Sequence, residues 1–110
     1  MFPLPIDDEN APLYSVGQVA DMLAVQQAFL RRLDEFEVVR PQRSPGGQRR
    51  YSRNDIGQVR YVVGLVDEGM TLTAVRRILE LEQEVLRLNA ELEATRRRLG
   101  DLNGPGEPGG

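Results

Sequence analysis

Apolar residues recur along this chain with a period that changes from stretch to stretch, and the changes mark its elements. Val16, Val19, Ala20 and Leu23 fall on one face at helical spacing, which predicts a short first helix ending near Leu23-Ala24. Ser15 stands before it and Gln18 three residues later, the pairing of a capping box. A second stripe of Val25, Phe29, Leu30, Leu33 and Phe36 predicts a helix from Gln26 to Phe36, with Gln26, Gln27, Arg31 and Arg32 elsewhere on its surface. Two short helices around a tight turn, the second bearing Gln and Arg near its start, read as a helix-turn-helix.

The helical period then stops. Val39 to Arg53 reads V-R-P-Q-R-S-P-G-G-Q-R-R-Y-S-R, and Pro41, Pro45 and the Gly46-Gly47 pair exclude a helix interior. Two extended arms, near Val38–Arg40 and Arg49–Tyr51, joined by the Gly-Gly tip, predict a small β-wing with Tyr51 at its base. Helical spacing resumes after Ser52-Arg53-Asn54-Asp55, a second capping box, with Ile56, Val59, Val62, Val63 and Val66 inward and Gly69 at the end. Thr71 caps a further helix in which Leu72, Val75, Ile78 and Leu79 continue the core. The expected fold is mainly α: a winged helix-turn-helix with a small β-hairpin wing and two further helices around one modest core.

From Ile78 the pattern becomes heptad. Ile78, Val85, Leu92 and Leu99 occupy one core position, and Leu81, Leu88 and Thr95 the other. Such a seam predicts a short coiled coil that pairs two copies of the chain; the competing reading is a lone amphipathic helix folded onto its own core. An antiparallel pair sets Leu81 against the partner's Leu99, Val85 against the partner's Thr95 and Leu88 against the partner's Leu92. It also brings Glu82 near the partner's Arg96 and Glu84 near the partner's Arg98. A parallel pair offers Arg77 with the partner's Glu82 and Glu91 with the partner's Arg96, so charge alone leaves the orientation open.

Charge is segregated along the chain. Val38 to Arg60 holds six arginines against Asp55, a local +5 in a protein whose net charge is −3, so the remainder carries −8. A basic patch on an acidic protein points to a defined docking surface rather than to general stickiness. Arginines at 40, 43, 49, 50 and 53 on a protruding ribbon suit phosphates, because the planar fork bonds phosphate oxygens in pairs. All fourteen basic residues are arginine, and cysteine and histidine are absent. That removes disulfides, thiolate metal sites, the usual general base and the commonest metal ligand. Catalytic residues, metal ligands and cofactors are therefore not expected, and the acids read as solvated helical faces. No apolar run approaches a membrane span and no signal pattern opens the chain, so a cytoplasmic protein is expected. Residues 1–12 read as a disordered arm, 13–80 as the DNA-binding domain, 81–99 as the coiled coil and 100–110 as a disordered Gly/Pro-rich tail.

Three stretches carry a family resemblance: L-A-V-Q-Q-A-F-L-R-R-L-D-E-F-E-V-V-R-P, R-S-P-G-G-Q-R-R-Y-S-R-N-D-I and E-G-M-T-L-T-A-V-R-R-I-L-E-L-E. Together, over roughly Tyr14 to Leu99, they resemble the DNA-binding half of a MerR-family regulator, and G-G-Q-R-R-Y-S with I-L-E-L-E resembles its HspR-like, heat-shock repressor branch. The resemblance implies a homodimer bound to an inverted repeat in double-stranded DNA, with an antiparallel coil. By position it implies Gln26, Gln27 and Arg31 on the recognition helix, Arg43 and Arg49 on the wing, and phosphate contacts from Tyr51 and Ser15. Gln18, Arg32, Gln48, Arg50 and Arg53 complete the expected DNA-binding set. Three departures from the family pattern matter. Arg32 and Leu33 stand where two aromatics are usual, Gln26 where serine is usual, and Glu37 where glycine usually ends the helix; a glutamate in a left-handed conformation there costs about 1 kcal/mol. Ligand-sensing members carry an effector domain or cysteines beyond the coil, and this chain has neither, so control by partner proteins, abundance or chemical modification rather than by a small-molecule effector is expected.

The function expected is thus a sequence-specific transcription regulator, more readily a repressor than an activator. Two alternatives are an architectural or excisionase-like DNA binder without a coiled-coil dimer, and an interaction adaptor built on a winged helix. An enzyme is not expected.

Overall fold

The computed structural model describes residues 8–103. The first seven residues of the expected N-terminal arm, and 104–110 of the expected tail, lie outside the described residues. The chain divides into two compact units that meet in sequence at Arg77 and Ile78.

The first unit holds β1 (Tyr14–Ser15), α1 (Val16–Leu23), α2 (Gln27–Glu35), β2 (Gln42–Arg43), β3 (Arg49–Tyr51), α3 (Arg53–Asp67) and the start of α4 (Leu72–Asn103). Its core is Val19 and Ala20 of α1, Leu30 and Leu33 of α2, Val38, Val39, Tyr51, Ile56, Val59 and Val62, closed by Leu72 and Val75 of α4. Both expected capping boxes form. Ser15 Oγ accepts the Gln18 N–H at 3.1 Å while Gln18 Oε1 accepts the Ser15 N–H at 2.8 Å. Ser52 and Asp55 do the same at 3.0 and 2.9 Å before α3. Thr71 Oγ1 accepts the Ala74 N–H at 3.1 Å at the head of α4.

Three helices end in one way. The residue after the last turn takes positive φ, at Ala24 (55°), Glu37 (60°) and Gly69 (96°). The following N–H then reaches back five residues: Val25 to the Ala20 carbonyl at 3.0 Å, Val38 to Leu33 at 2.8 Å, and Met70 to Leu65 at 3.2 Å. This 6→1 bond satisfies a carbonyl left over at a helix end and favours glycine in the turn. Glycine fills that position only after α3; alanine makes the turn between α1 and α2, and Glu37 occupies the left-handed position read from the sequence.

The sheet has three strands in the order β1-β3-β2, all antiparallel. Tyr14 pairs with Tyr51 and Ser15 with Arg50 on one side of β3, and Gln42 with Arg50 and Arg43 with Arg49 on the other. The first arm of the wing is therefore Gln42–Arg43 and not the segment near Val38–Arg40. The displacement has a cause. The N–H groups of Val38 and Val39 both go to the Leu33 carbonyl, at 2.8 and 3.2 Å, their side chains enter the core, and Pro41 has no N–H to give. The tip is a tight turn with Pro45 and Gly46 at its centre, closed by the Gly47 N–H on the Ser44 carbonyl at 2.8 Å. Gly47, not Gly46, takes positive φ (83°), which makes a type I turn followed by a bulge.

The second unit begins at Ile78 and runs on as α4 to Asn103, so the helix passes the coil boundary expected at Leu99 and takes in Gly100. Within it Leu81, Val85, Leu88, Leu92 and Leu99 are all exposed. Thr95 Oγ1 donates to the Glu91 carbonyl at 2.9 Å, and Arg87 bonds both Glu84 and Glu91 along the helix. Among the described residues no helix is long and apolar enough to cross a membrane.

Candidate nucleic-acid interface

Strand β3 is the hinge of the site. One edge carries β1, which leads directly into α1, and the other carries β2 and the wing. This arrangement gathers Ser15 at the mouth of α1, Arg31 of α2, and Arg43, Gln48, Arg49 and Arg50 of the wing around one open depression of about 380 Å³. Four arginines thus line a single concave surface. Arg31 lies one helical turn from Gln27 and donates to its Oε1 at 3.4 Å, so the two share an exposed face of α2.

The wing is fastened to α2 by Asp34. Its Oδ2 accepts from Arg49 Nε at 2.8 Å and from Arg43 Nη2 at 3.0 Å. Arg43 Nη1 also donates to the Gly47 carbonyl at 3.2 Å, and Arg50 Nη2 donates to Gln48 Oε1 at 3.3 Å. Ser15 takes the expected capping role: its oxygen accepts the Gln18 N–H, which leaves its hydroxyl proton free of the cap.

Other expected residues lie elsewhere. Gln26 is the N-cap of α2 without a side-chain capping bond; together with Arg32 it lines a different depression, of about 450 Å³, among Phe29, Val63 and Val66. Gln18 is exposed on α1 with its amide oxygen held by the capping box, and Arg53 is exposed at the start of α3. Tyr51 is wholly buried, and its hydroxyl has no hydrogen-bond partner among the described residues. Burial pushes that hydroxyl up to about 12; Arg49 pulls it down, and Asp34 and Asp55 push it further up. The expected phosphate contact at Tyr51 thus falls on a side chain packed inside the core.

Residues 14–82 match the sequence model of the MerR HTH family regulatory proteins. The chain belongs to the MerR family. It is 39% identical over 83 residues to HspR of Streptomyces coelicolor, an alignment covering 74% of this chain and 55% of HspR. Over 77 residues it is 27% identical to the HTH-type transcriptional regulator GlnR of Bacillus anthracis, covering 70% and 60%. The chain therefore spans little more than half the length of these curated relatives. Its fold matches that of HiNmlR, a MerR-family regulator lacking the sensor domain and crystallised on promoter DNA, with a TM-score of 0.57, 19% identity and coverage of 82% and 84%.

Within this MerR fold the arginine cleft is assembled by two features that sequence reading missed. Strand β1 is only Tyr14–Ser15, too short for any alternation to reveal. Asp34 sits beside the arginines of α2, where its ordinary partner is Arg31 one turn away. Its bonds to residues nine and fifteen positions on required knowing that the wing folds back over the helix.

Proposed function

We propose that this MerR-family chain is a sequence-specific DNA-binding transcription regulator that acts as a homodimer on an inverted repeat and represses. The arginine-lined cleft between recognition helix and wing carries the reading. Arg31, Arg43, Arg49 and Arg50 supply the salt-sensitive attraction to phosphate. Gln27, exposed on the same face as Arg31, supplies base discrimination through an amide suited to adenine. The uncovered Leu/Val seam of α4 supports pairing of two copies, and two-fold pairing calls for two half-sites. The relative GlnR is itself an HTH-type transcriptional regulator, which supports the regulator part of this reading.

The test is selection of bound sequences from a randomised duplex pool, followed by a salt titration on the winner. The expected result is an enriched inverted repeat and a log–log salt slope of roughly −3 to −4 per subunit if each cleft arginine meets a phosphate. Gln27→Ala shifts the selected sequence, whereas Arg31→Ala weakens every duplex. Placed across a promoter, the selected repeat lowers transcription when the protein is present. No binding to any duplex in dilute buffer rejects the proposal; raised transcription rejects repression alone.

A further inference from the structure

An acid bonded to two arginines of a basic cleft is unexpected on charge alone, since it lowers the very potential that attracts phosphate. Asp34 is such an acid. Its side chain is 15% exposed and one oxygen takes two of the three wing arginines, Arg49 through Nε at 2.8 Å and Arg43 through Nη2 at 3.0 Å. The bonds differ in what they leave over. Arg43 has one terminal nitrogen on Asp34 and the other on the Gly47 carbonyl. Arg49 gives only Nε, so both its terminal nitrogens are without a partner among the described residues, and its side chain, 18% exposed, lines the cleft. A guanidinium held at Nε presents its far edge, the pair of donors that matches two phosphate oxygens.

Resting on the DNA-binding reading above, we propose that Asp34 is a positioning residue. It ties both strands of the wing to the recognition helix and aims the terminal edge of Arg49 at a backbone phosphate. The order this imposes before binding removes a cost that a loose arginine would meet on the DNA.

Charge and positioning predict opposite signs, and that makes the test. Affinity for one duplex is measured for the full chain, for Asp34→Asn, for Asp34→Glu, and for Arg43→Ala/Arg49→Ala with and without Asp34→Asn, all well below their melting temperatures. Positioning predicts that Asp34→Asn binds about tenfold more weakly, with a salt slope shallower by about 1, although a negative charge has gone. Asp34→Glu binds more tightly than Asp34→Asn despite being more negative. Without Arg43 and Arg49, Asp34→Asn no longer weakens binding. The unmodified protein gives an independent reading: the Arg49 Nε–H exchanges with solvent more slowly than the Arg50 Nε–H. Equal exchange, or an Asp34→Asn variant that binds as tightly as the parent or more so, overturns the proposal while leaving the DNA reading intact. A parent chain that binds no duplex overturns both.

Discussion

Tyr51 gives up all of its exposure on folding, and its hydroxyl finds no partner among the described residues. A buried hydroxyl without an acceptor costs desolvation, so Tyr51→Phe should leave stability at pH 7 unchanged or raise it by up to about 1 kcal/mol. The alkaline side gives a sharper check. The folded state holds the proton until about 12 against 10.0 for the free side chain, so the unfolded chain ionises first. Stability from this residue is therefore intact below pH 10 and falls through pH 10 to 12, by about 1.4 kcal/mol per unit. Denaturant melts at pH 7 and pH 11 should show a drop in the parent that is smaller in Tyr51→Phe by that amount. DNA affinity should be unchanged in the variant; a tenfold loss would restore the phosphate contact that the family resemblance implied. Glu37 makes a second case. Its φ of 60° is strained for a side chain with a Cβ, and its ion pairs with Arg40 (3.7 Å) and Arg76 (3.9 Å) are exposed. Relief of about 1 kcal/mol should outweigh pairs worth tenths, so Glu37→Gly should stabilise by roughly 0.5–1 kcal/mol in urea melts. The Glu37 strain was legible because the residue stands where a glycine is usual. The burial of Tyr51 was not, because Arg-x-Tyr reads the same whether the ring faces the core or a phosphate.

The elements whose signals lie within four residues of one another were readable from the chain: the helices α1, α2 and α3 and the capping boxes at Ser15 and Ser52, although Phe36, expected inward at the end of the α2 stripe, is exposed. Each is decided by contacts along the helix itself. Ser52 is buried at 5% exposure and bonded reciprocally to Asp55, so its cap has little help from water. Ser52→Ala should cost about 1–2 kcal/mol by thermal or urea melting, the upper part of the range for a lost N-cap. A loss below a few tenths would mean that β3 and the core hold the start of α3 without the box. The wing was legible as a kind of structure but not in its register. Pro41 and Gly47 announce a hairpin, yet the strand begins at Gln42 because α2 consumes the N–H groups of Val38 and Val39. That competition between a helix end and a strand start is tertiary, and no local pattern records it. The same holds for Asp34, whose partners become neighbours only when the wing closes.

The seam of α4 makes the case for two copies at the scale of the molecule. Leu81, Val85, Leu88, Leu92 and Leu99 stay exposed along one helix, a stripe that a partner helix can cover. Thr95 interrupts it, but its hydroxyl already donates to the Glu91 carbonyl, so the side chain can enter an apolar interface without an unmet bond. Glu84 is held by Arg87 on its own helix, a contact that competes with the expected reach to the partner's Arg98. Apolar burial rather than salt bridges should therefore set the strength of the proposed dimer. Leu88 lies near the middle of the seam, and an arginine there would bury its charge in both subunits. Leu88→Arg should shift the chain to monomer at micromolar concentration by sedimentation, with the helical signal of residues 14–77 retained. Its effect on DNA separates the dimer's role from the site's. Joining two half-sites raises affinity by about 10²–10⁴ through effective concentration alone, so the variant should lose that factor on the inverted repeat and nothing on a single half-site. Equal loss on both targets would mean that the substitution damaged the reading head. A variant that stayed dimeric would mean that the two copies meet through some surface other than this stripe.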